Sequence, residues 1–139
     1  MYSFQCYNKM KSILGKYYSR IRGSQEDIVS DGLAGILNAS VQAKEAFNSL
    51  LNSSGLTGKA DAFSPQSTGE FKERPDISLR SERGVEIGLI EAKFWAGLTE
   101  NQPLTYLQRL ADQGLLLFIC PENRKRGLLH SLLRRIEES

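Results

Sequence analysis

Apolar residues recur at helical spacing in three stretches of the chain. Residues 1–23 form the first stretch, an amphipathic helix that ends at Gly23. Ser24 stands three residues before Asp27, the spacing of a capping box, and begins a long helix expected to run to about Leu51. The third stretch lies at the C-terminus, and its apolar face consists of Leu128, Leu129, Leu132, Leu133 and Ile136.

Between the second and third helical stretches the pattern changes to short apolar runs, which are typical of strands. Residues 75–80 and 85–94 are rich in Ile, Val and Leu, and the turn sequence 81–84 joins them, so they predict a hairpin. The polar stretch before them has room for one short strand, around residues 62–63 or 70–71.

After the hairpin, residues 101–113 predict a further helix that Gly114 ends. The apolar run 115–120 has the length of a fully buried strand, and Pro121 ends it. The resulting order is helix, helix, three strands, helix, strand, helix. This order predicts a three-layer α/β/α sandwich with a central mixed sheet of about four strands.

Composition limits the chain to one ordinary domain. Its 139 residues, 40% of them hydrophobic, suffice for a single core, which we expect to span residues 24–139 behind the helix of residues 1–23. Cys6 and Cys120 have no second cysteine pair and no signal peptide ahead of them, which favours a reducing, cytoplasmic setting. Because no apolar run approaches the roughly 18 residues of a membrane helix, we expect no membrane partner.

Charged residues occur in the hairpin, where a buried strand should be apolar. Asp76 begins the first run, and Glu91 and Lys93 end the second. A regular hairpin pairs Asp76 with Leu89 and places it diagonal to Glu91 on the same face, about 7 to 8 Å away; a bulge at Gly84 would shift this register. Side-chain alternation then predicts one face made of Val85, Ile87, Leu89, Glu91 and Lys93.

These charges have a chemical interpretation and a structural one. Two carboxylates, the Ala92 carbonyl and a substrate phosphate make a plausible shell for Mg²⁺, with Mn²⁺ as a substitute. Lys93 can then orient the attacking water or neutralise the phosphate. The structural alternative is a plain salt bridge between Glu91 and Lys93 at the open end of a strand.

One series of features in the chain resembles the PD-(D/E)XK nuclease superfamily. It consists of Asp76 after Pro75, a hairpin, then Glu91-Ala92-Lys93, a helix and an apolar strand. The resemblance covers residues 24–120 and implies a restriction-endonuclease-like core. It also implies a metal-dependent nuclease that hydrolyses phosphodiester bonds, with nucleic acid, and DNA in particular, as its partner. Its catalytic residues would be Asp76, Glu91 and Lys93.

The resemblance extends to an acid in the first core helix. Glu26 falls on the inward face with Leu33 and Leu37, so it is the expected additional catalytic acid, and Asp27 is the competing choice. An acid in the first turn is also favoured by the helix dipole alone.

Some exonuclease-like members of the superfamily carry Q-x-x-x-Y after the lysine, and Gln102 and Tyr106 have that spacing. Pro103 pushes the residue before it out of the α region, so we expect Gln102 at the helix cap. Tyr106 can equally be a half-buried core residue. Trp95 either caps the core or lines a substrate groove.

A basic run precedes the last helix and offers further contacts to a phosphate backbone: Arg124, Lys125 and Arg126. Such a run is also the ordinary solvated face of an amphipathic helix. Two functions follow from the sequence. One is a nuclease, for example the effector of a defence or repair system, and the other is a non-catalytic nucleic-acid-binding or assembly module with the same fold. A homodimer is expected if both strands of a duplex are cut, and a place within or beside a larger protein stays open.

Overall fold

The computed structural model describes residues 25–65, 69 and 74–139, with side chains from Asp27 onward. The helix predicted for residues 1–23 lies outside these ranges. Within them the chain is mixed α/β, with four helices and four strands. In chain order these are α1 (Gln25–Ala39), α2 (Val41–Ser53), β1 (Ala62–Pro65), β2 (Ile77–Arg80), β3 (Glu86–Ala92), α3 (Leu104–Arg109), β4 (Leu115–Ile119) and α4 (Glu122–Glu137).

The prediction of one continuous helix to Leu51 is wrong, because Ser40 interrupts the helix and divides it into α1 and α2. Ser40 has an extended backbone, with φ −118° and ψ 117°, and its Oγ accepts a hydrogen bond from the Ala43 N–H at 3.2 Å. This is an N-cap, so the serine that interrupts α1 also begins α2.

Two asparagines attach these helices to the first strand and the loop before it. In α1, Asn38 donates to the Phe63 carbonyl at 2.7 Å and accepts from the Phe63 N–H at 3.0 Å. In α2, Asn48 makes the same pair of bonds with Ala60, at 2.8 and 2.7 Å. The position of β1 confirms the strand predicted around residues 62–63, whereas residues 70–71 lie outside the described ranges.

The four strands form one sheet in the order β1-β2-β3-β4. The first three pair antiparallel and β4 pairs parallel to β3, so the sheet is mixed, as predicted. The helix predicted over residues 101–113 is much shorter, since α3 ends where Leu110 becomes extended, with ψ 141°.

Two irregularities in the hairpin overturn the register predicted for it. At the turn, the Gly84 N–H donates to the Ser81 carbonyl at 2.8 Å, and Gly84 takes a φ of +75° that suits glycine. A second shift occurs between Leu79 and Arg80. Each adds one residue to the β3 side, so Ile77 faces Ile90. Continuing this register by one residue places Asp76 opposite Glu91 instead of opposite Leu89.

The second shift also changes which β3 residues share a face. Ile87 was predicted beside Leu89 and Glu91, but it packs against the core on the opposite face. Glu86, which pairs with Arg80, takes its place on the Glu91 face. The core under α1 and α2 comprises Ala34, Leu37, Leu51, Leu56, Ala60, Phe63, Ile77, Leu79 and Ile90.

The last helix has a looser attachment than the others. No residue of α4 is buried, and Leu129 and Leu133 are exposed. None of the helices in the described ranges combines the length and the apolar composition needed to cross a bilayer.

Candidate functional site

Glu91 and Lys93 form an ion pair at the end of β3. Lys93 Nζ lies 2.7 Å from Glu91 Oε1, and the two residues are only 4% and 5% exposed, respectively. The structural alternative expected this pair at an open strand end, but it is buried. The Lys93 N–H donates to the Ile119 carbonyl at 2.8 Å, so pairing with the β4 segment continues past β3 and fixes the lysine backbone.

Asp76 lies one residue before β2 and is half-buried. Its Oδ2 accepts a hydrogen bond from the Ala92 N–H at 2.6 Å, which holds the carboxylate against the end of β3. The register places the same residue opposite Glu91, and facing residues in an antiparallel pair have Cβ atoms about 4.5 to 5.5 Å apart. The acid, acid and lysine of the predicted site therefore lie at one end of the hairpin. The contact that Ala92 makes there is through its N–H, and its carbonyl as a metal ligand stays a prediction.

Gln102 and Tyr106 complete a buried polar network around Glu91. The Gln102 Nε2 donates to Glu91 Oε1 at 2.8 Å and to the Tyr106 hydroxyl at 3.0 Å. The Tyr106 hydroxyl in turn donates to Glu91 Oε2 at 3.1 Å. Both oxygens of the carboxylate are thus held, which fixes its orientation.

The positions of these two residues resolve the alternatives that the sequence left open. Gln102 precedes α3, outside the helix, and the Thr99 N–H donates to its Oε1 at 3.2 Å. The sequence predicted Gln102 at the helix cap, but the cap position is Pro103 and Gln102 lies one residue before it. Its side chain still reaches Glu91. Tyr106 is buried, and its hydroxyl belongs to the polar network, so it is more than a core residue.

Burial raises the pKa of the Tyr106 phenol well above its usual range, and the nearby Glu91 carboxylate raises it further. The Asp76 carboxylate acts on the pKa of the same phenol in the same direction, as the smallest of the causes. Tyr106 therefore stays protonated at neutral pH and keeps donating its hydrogen bond to Glu91.

Glu86 forms a second polar cluster on the same face of the sheet, and sequence reasoning missed it. Arg109 of α3 binds its two carboxylate oxygens through Nε at 2.6 Å and Nη2 at 2.8 Å. The buried Ser78 donates its hydroxyl to the same carboxylate. Burial alone would raise the pKa of Glu86, but the hydrogen bonds from Arg109 and Ser78 outweigh it and hold the pKa below its usual value. A regular strand would place Glu86 on the face opposite Glu91, so no sequence pattern pointed to it.

The predicted basic residues divide into two groups. Arg124 donates through Nη1 to the Lys93 carbonyl at 2.9 Å and through Nη2 to the Ala96 carbonyl at 2.8 Å, so it contacts the backbone of a predicted site residue. Lys125 and Arg126 are exposed and line a different groove, beside Glu122. Of these three predicted basic residues, the structure therefore places Arg124 next to the predicted catalytic residues.

Two carboxylates, those of Asp76 and Glu91, lie at the site. Among the side chains that the structure describes, no three or more of His, Cys, Asp and Glu gather in a way that could hold a metal, so Asp27 does not join Asp76 and Glu91. The side chain of Glu26 lies outside the described part of the chain. Two carboxylate ligands fit Mg²⁺, which prefers oxygen and commonly keeps several waters.

Five predicted residues thus lie together at the end of β3: Asp76, Glu91, Lys93, Gln102 and Tyr106. Comparison of the chain with protein-family models, with curated proteins and with solved structures gives no match.

Proposed function

We propose that the chain is a metal-dependent nuclease with a restriction-endonuclease-like α/β/α core, and that it hydrolyses phosphodiester bonds, with DNA as the favoured substrate. The supporting observation is the buried pair of Glu91 and Lys93 with Asp76 opposite. A buried ion pair is often no more stable than apolar residues of the same volume, so stability alone is a weak reason for it. Charged groups buried next to further ionisable groups are instead common at active sites.

Each residue of the site has a role in this reaction. Asp76 and Glu91 would hold the cation, which supplies polarisation of a phosphoryl oxygen and a lowered pKa of bound water. The Lys93 ammonium stabilises the negative charge that develops on the phosphate and orients the attacking water. Gln102 and Tyr106 keep the Glu91 carboxylate in one orientation through their hydrogen bonds.

A second function, a non-catalytic nucleic-acid-binding module, is favoured by one observation. The oxygens of Glu91 accept bonds from Lys93, Gln102 and Tyr106, so protein donors alone already satisfy this carboxylate. Such a network can serve to stabilise the end of β3 without any reaction. A cleavage assay separates the two functions.

In that assay, single- and double-stranded DNA and RNA are incubated with the purified protein and Mg²⁺ or Mn²⁺. The informative variant is Asp76→Asn, because the amide oxygen can still accept from the Ala92 N–H while the charge that attracts a cation is lost. The matched control is Asp61→Asn, the same change at an exposed acid whose carboxylate lies 3.5 Å from Lys44 Nζ. Lys93→Ala tests the lysine.

We expect the wild-type protein and Asp61→Asn to cleave at least one substrate. The Asp76→Asn and Lys93→Ala variants should lose about a hundredfold or more in rate, because each removes stabilisation of charge in the transition state. Full cleavage by both site variants would reject the assignment of these residues. Binding without any cleavage by the wild-type protein would support the non-catalytic module.

A further inference from the structure

Trp95 lies at the surface two residues after Lys93. Its side chain is 62% exposed, which excludes the role of capping the core that the sequence left open. Arg124 donates to the carbonyls of Lys93 and Ala96, one on each side of the tryptophan in the chain. The Phe94 ring lies 5.7 Å away at an interplanar angle of 51°. An exposed indole on a backbone fixed at both ends is a ready surface for a flat ligand.

A positively charged groove begins at Gly97, two residues after Trp95 in the chain. Gly97 and Leu98 form one wall, and α4 forms the other, around a volume of about 410 Å³. Three arginines line this groove: Arg124, Arg134 and Arg135.

The charges of these arginines are not neutralised by acids. The hydrogen bonds of Arg124 and Arg135 go to backbone carbonyls, which carry no net charge. In the part of the chain that the structure describes, no carboxylate lies within ion-pair distance of either residue or of Arg134. Such a groove attracts an anion, and the phosphates of a nucleic acid are anions that its arginines can bind.

We infer that Trp95 and this groove bind a single strand of nucleic acid, with a base stacked on the indole and phosphates bound by Arg134 and its neighbours. An aromatic platform beside a basic groove is the usual arrangement for single strands. Base pairs inside a duplex expose their edges and keep their faces stacked on one another, so only the two end pairs of a duplex can offer a face to the indole. The inference rests on the proposed function, because the bound strand would pass Lys93, two residues before Trp95.

The chain contains one tryptophan, so its intrinsic fluorescence reports on Trp95 directly. The protein is titrated in EDTA, which prevents metal-dependent cleavage, with single-stranded DNA, single-stranded RNA and a blunt duplex, each of about 12 nucleotides. We expect at least one single strand to quench the fluorescence and to bind about tenfold more tightly than the duplex. Absence of quenching by both single strands, or equal affinity for the duplex, would overturn the inference.

Matched charge reversals test the groove. Arg134→Glu changes an exposed groove residue, and Arg83→Glu makes the same change in the exposed turn at the far end of the hairpin. We expect Arg134→Glu to weaken single-strand binding about tenfold, and Arg83→Glu to change it less than about twofold. Equal losses would mean that net charge alone attracts the strand, and would reject the groove.

Trp95→Leu tests stacking with a labelled oligonucleotide, where we expect a loss of about tenfold in affinity. Unchanged affinity would reject the platform. Because the Trp95 and Arg134 side chains are both exposed, the two variants should still fold, and circular dichroism can confirm it.

Single-strand binding that depends on Trp95 and Arg134, without cleavage in Mg²⁺, would keep this inference and reject the nuclease. Cleavage of single strands that is unaffected by both variants would reject this inference and keep the nuclease.

Discussion

At the scale of single residues, the central feature is a carboxylate that is almost fully shielded from solvent. Glu91 is buried and accepts from the Lys93 ammonium, the Gln102 amide and the Tyr106 hydroxyl. A buried carboxylate is stable only when such donors compensate its lost hydration. Lys93 differs from the other two donors because it also supplies the balancing charge.

Lys93→Met should therefore lower the free energy of unfolding by about 3 kcal/mol, since it leaves the Glu91 charge buried without a counter-ion. Urea denaturation at neutral pH measures this. Lys59→Met, the same change at an exposed lysine, serves as the control and should have little effect. The double variant Glu91→Gln with Lys93→Met should recover part of the loss, because no unpaired charge is left buried. A double variant as unstable as the sum of the two single variants would contradict a coupled pair.

At the scale of elements, the short helix α3 depends on contacts with β3 for its stability. It has six residues, fewer than an isolated helix requires in water. Arg109 at its end holds Glu86 with two hydrogen bonds, and Tyr106 in its middle holds Glu91. These two contacts join α3 to two positions of β3. The helix can therefore hold the Glu91 side chain in place only while both contacts persist.

Glu86→Gln should lower the free energy of unfolding by about 1 to 2 kcal/mol at neutral pH, because a charge-assisted hydrogen bond is lost. The folded state lowers the pKa of Glu86, so its contribution is present above the ordinary Glu range near pH 4 and disappears as the pH falls through the folded pKa. Wild type and variant should thus converge in acid. Urea unfolding at a series of pH values tests this, with the exposed Glu82→Gln as the control. A difference that stays constant down to low pH would contradict the role given to the Glu86 charge.

The hairpin shows how far sequence reasoning reaches at this scale. Both strands are visible as apolar runs, and Asp76, Glu91 and Lys93 stand out because charge is unusual there. Their pairing could not be derived, since each of the two shifts adds one residue to β3 and only the turn glycine has a sequence signal. The Glu86–Arg109 contact is hidden for the same reason, as it joins residues 23 positions apart on a face that the second shift creates.

At the scale of the whole molecule, two arginines bind α4 to the segment that follows β3. Three of its apolar residues, Leu129, Leu133 and Ile136, are exposed, at 53%, 50% and 44%, whereas Leu128 and Leu132 are half-buried. Arg124 near its start binds the segment after β3, and Arg135 near its end binds the carbonyls of Thr99, Glu100 and Gln102. Because the Gln102 side chain contacts Glu91, the helix that forms the groove wall is linked to the candidate active site.

Arg135→Met should therefore loosen α4 without unfolding the sheet. The arginine bonds to Thr99 and Gln102 are lost, and a loss of about 1.4 kcal/mol corresponds to about tenfold faster amide exchange in the end of the helix. Hydrogen–deuterium exchange measures this, and the amides of β2 and β3 should keep their wild-type rates. Arg134→Met is the matched control, since within the described chain the neighbouring arginine makes no hydrogen bond or ion pair through its side chain. Equal acceleration in both variants would mean that helix propensity, and not the Arg135 anchor, sets the stability of α4. Acceleration that spreads into β3 would mean that the helix and the sheet unfold together, so the groove wall could not move independently of the site.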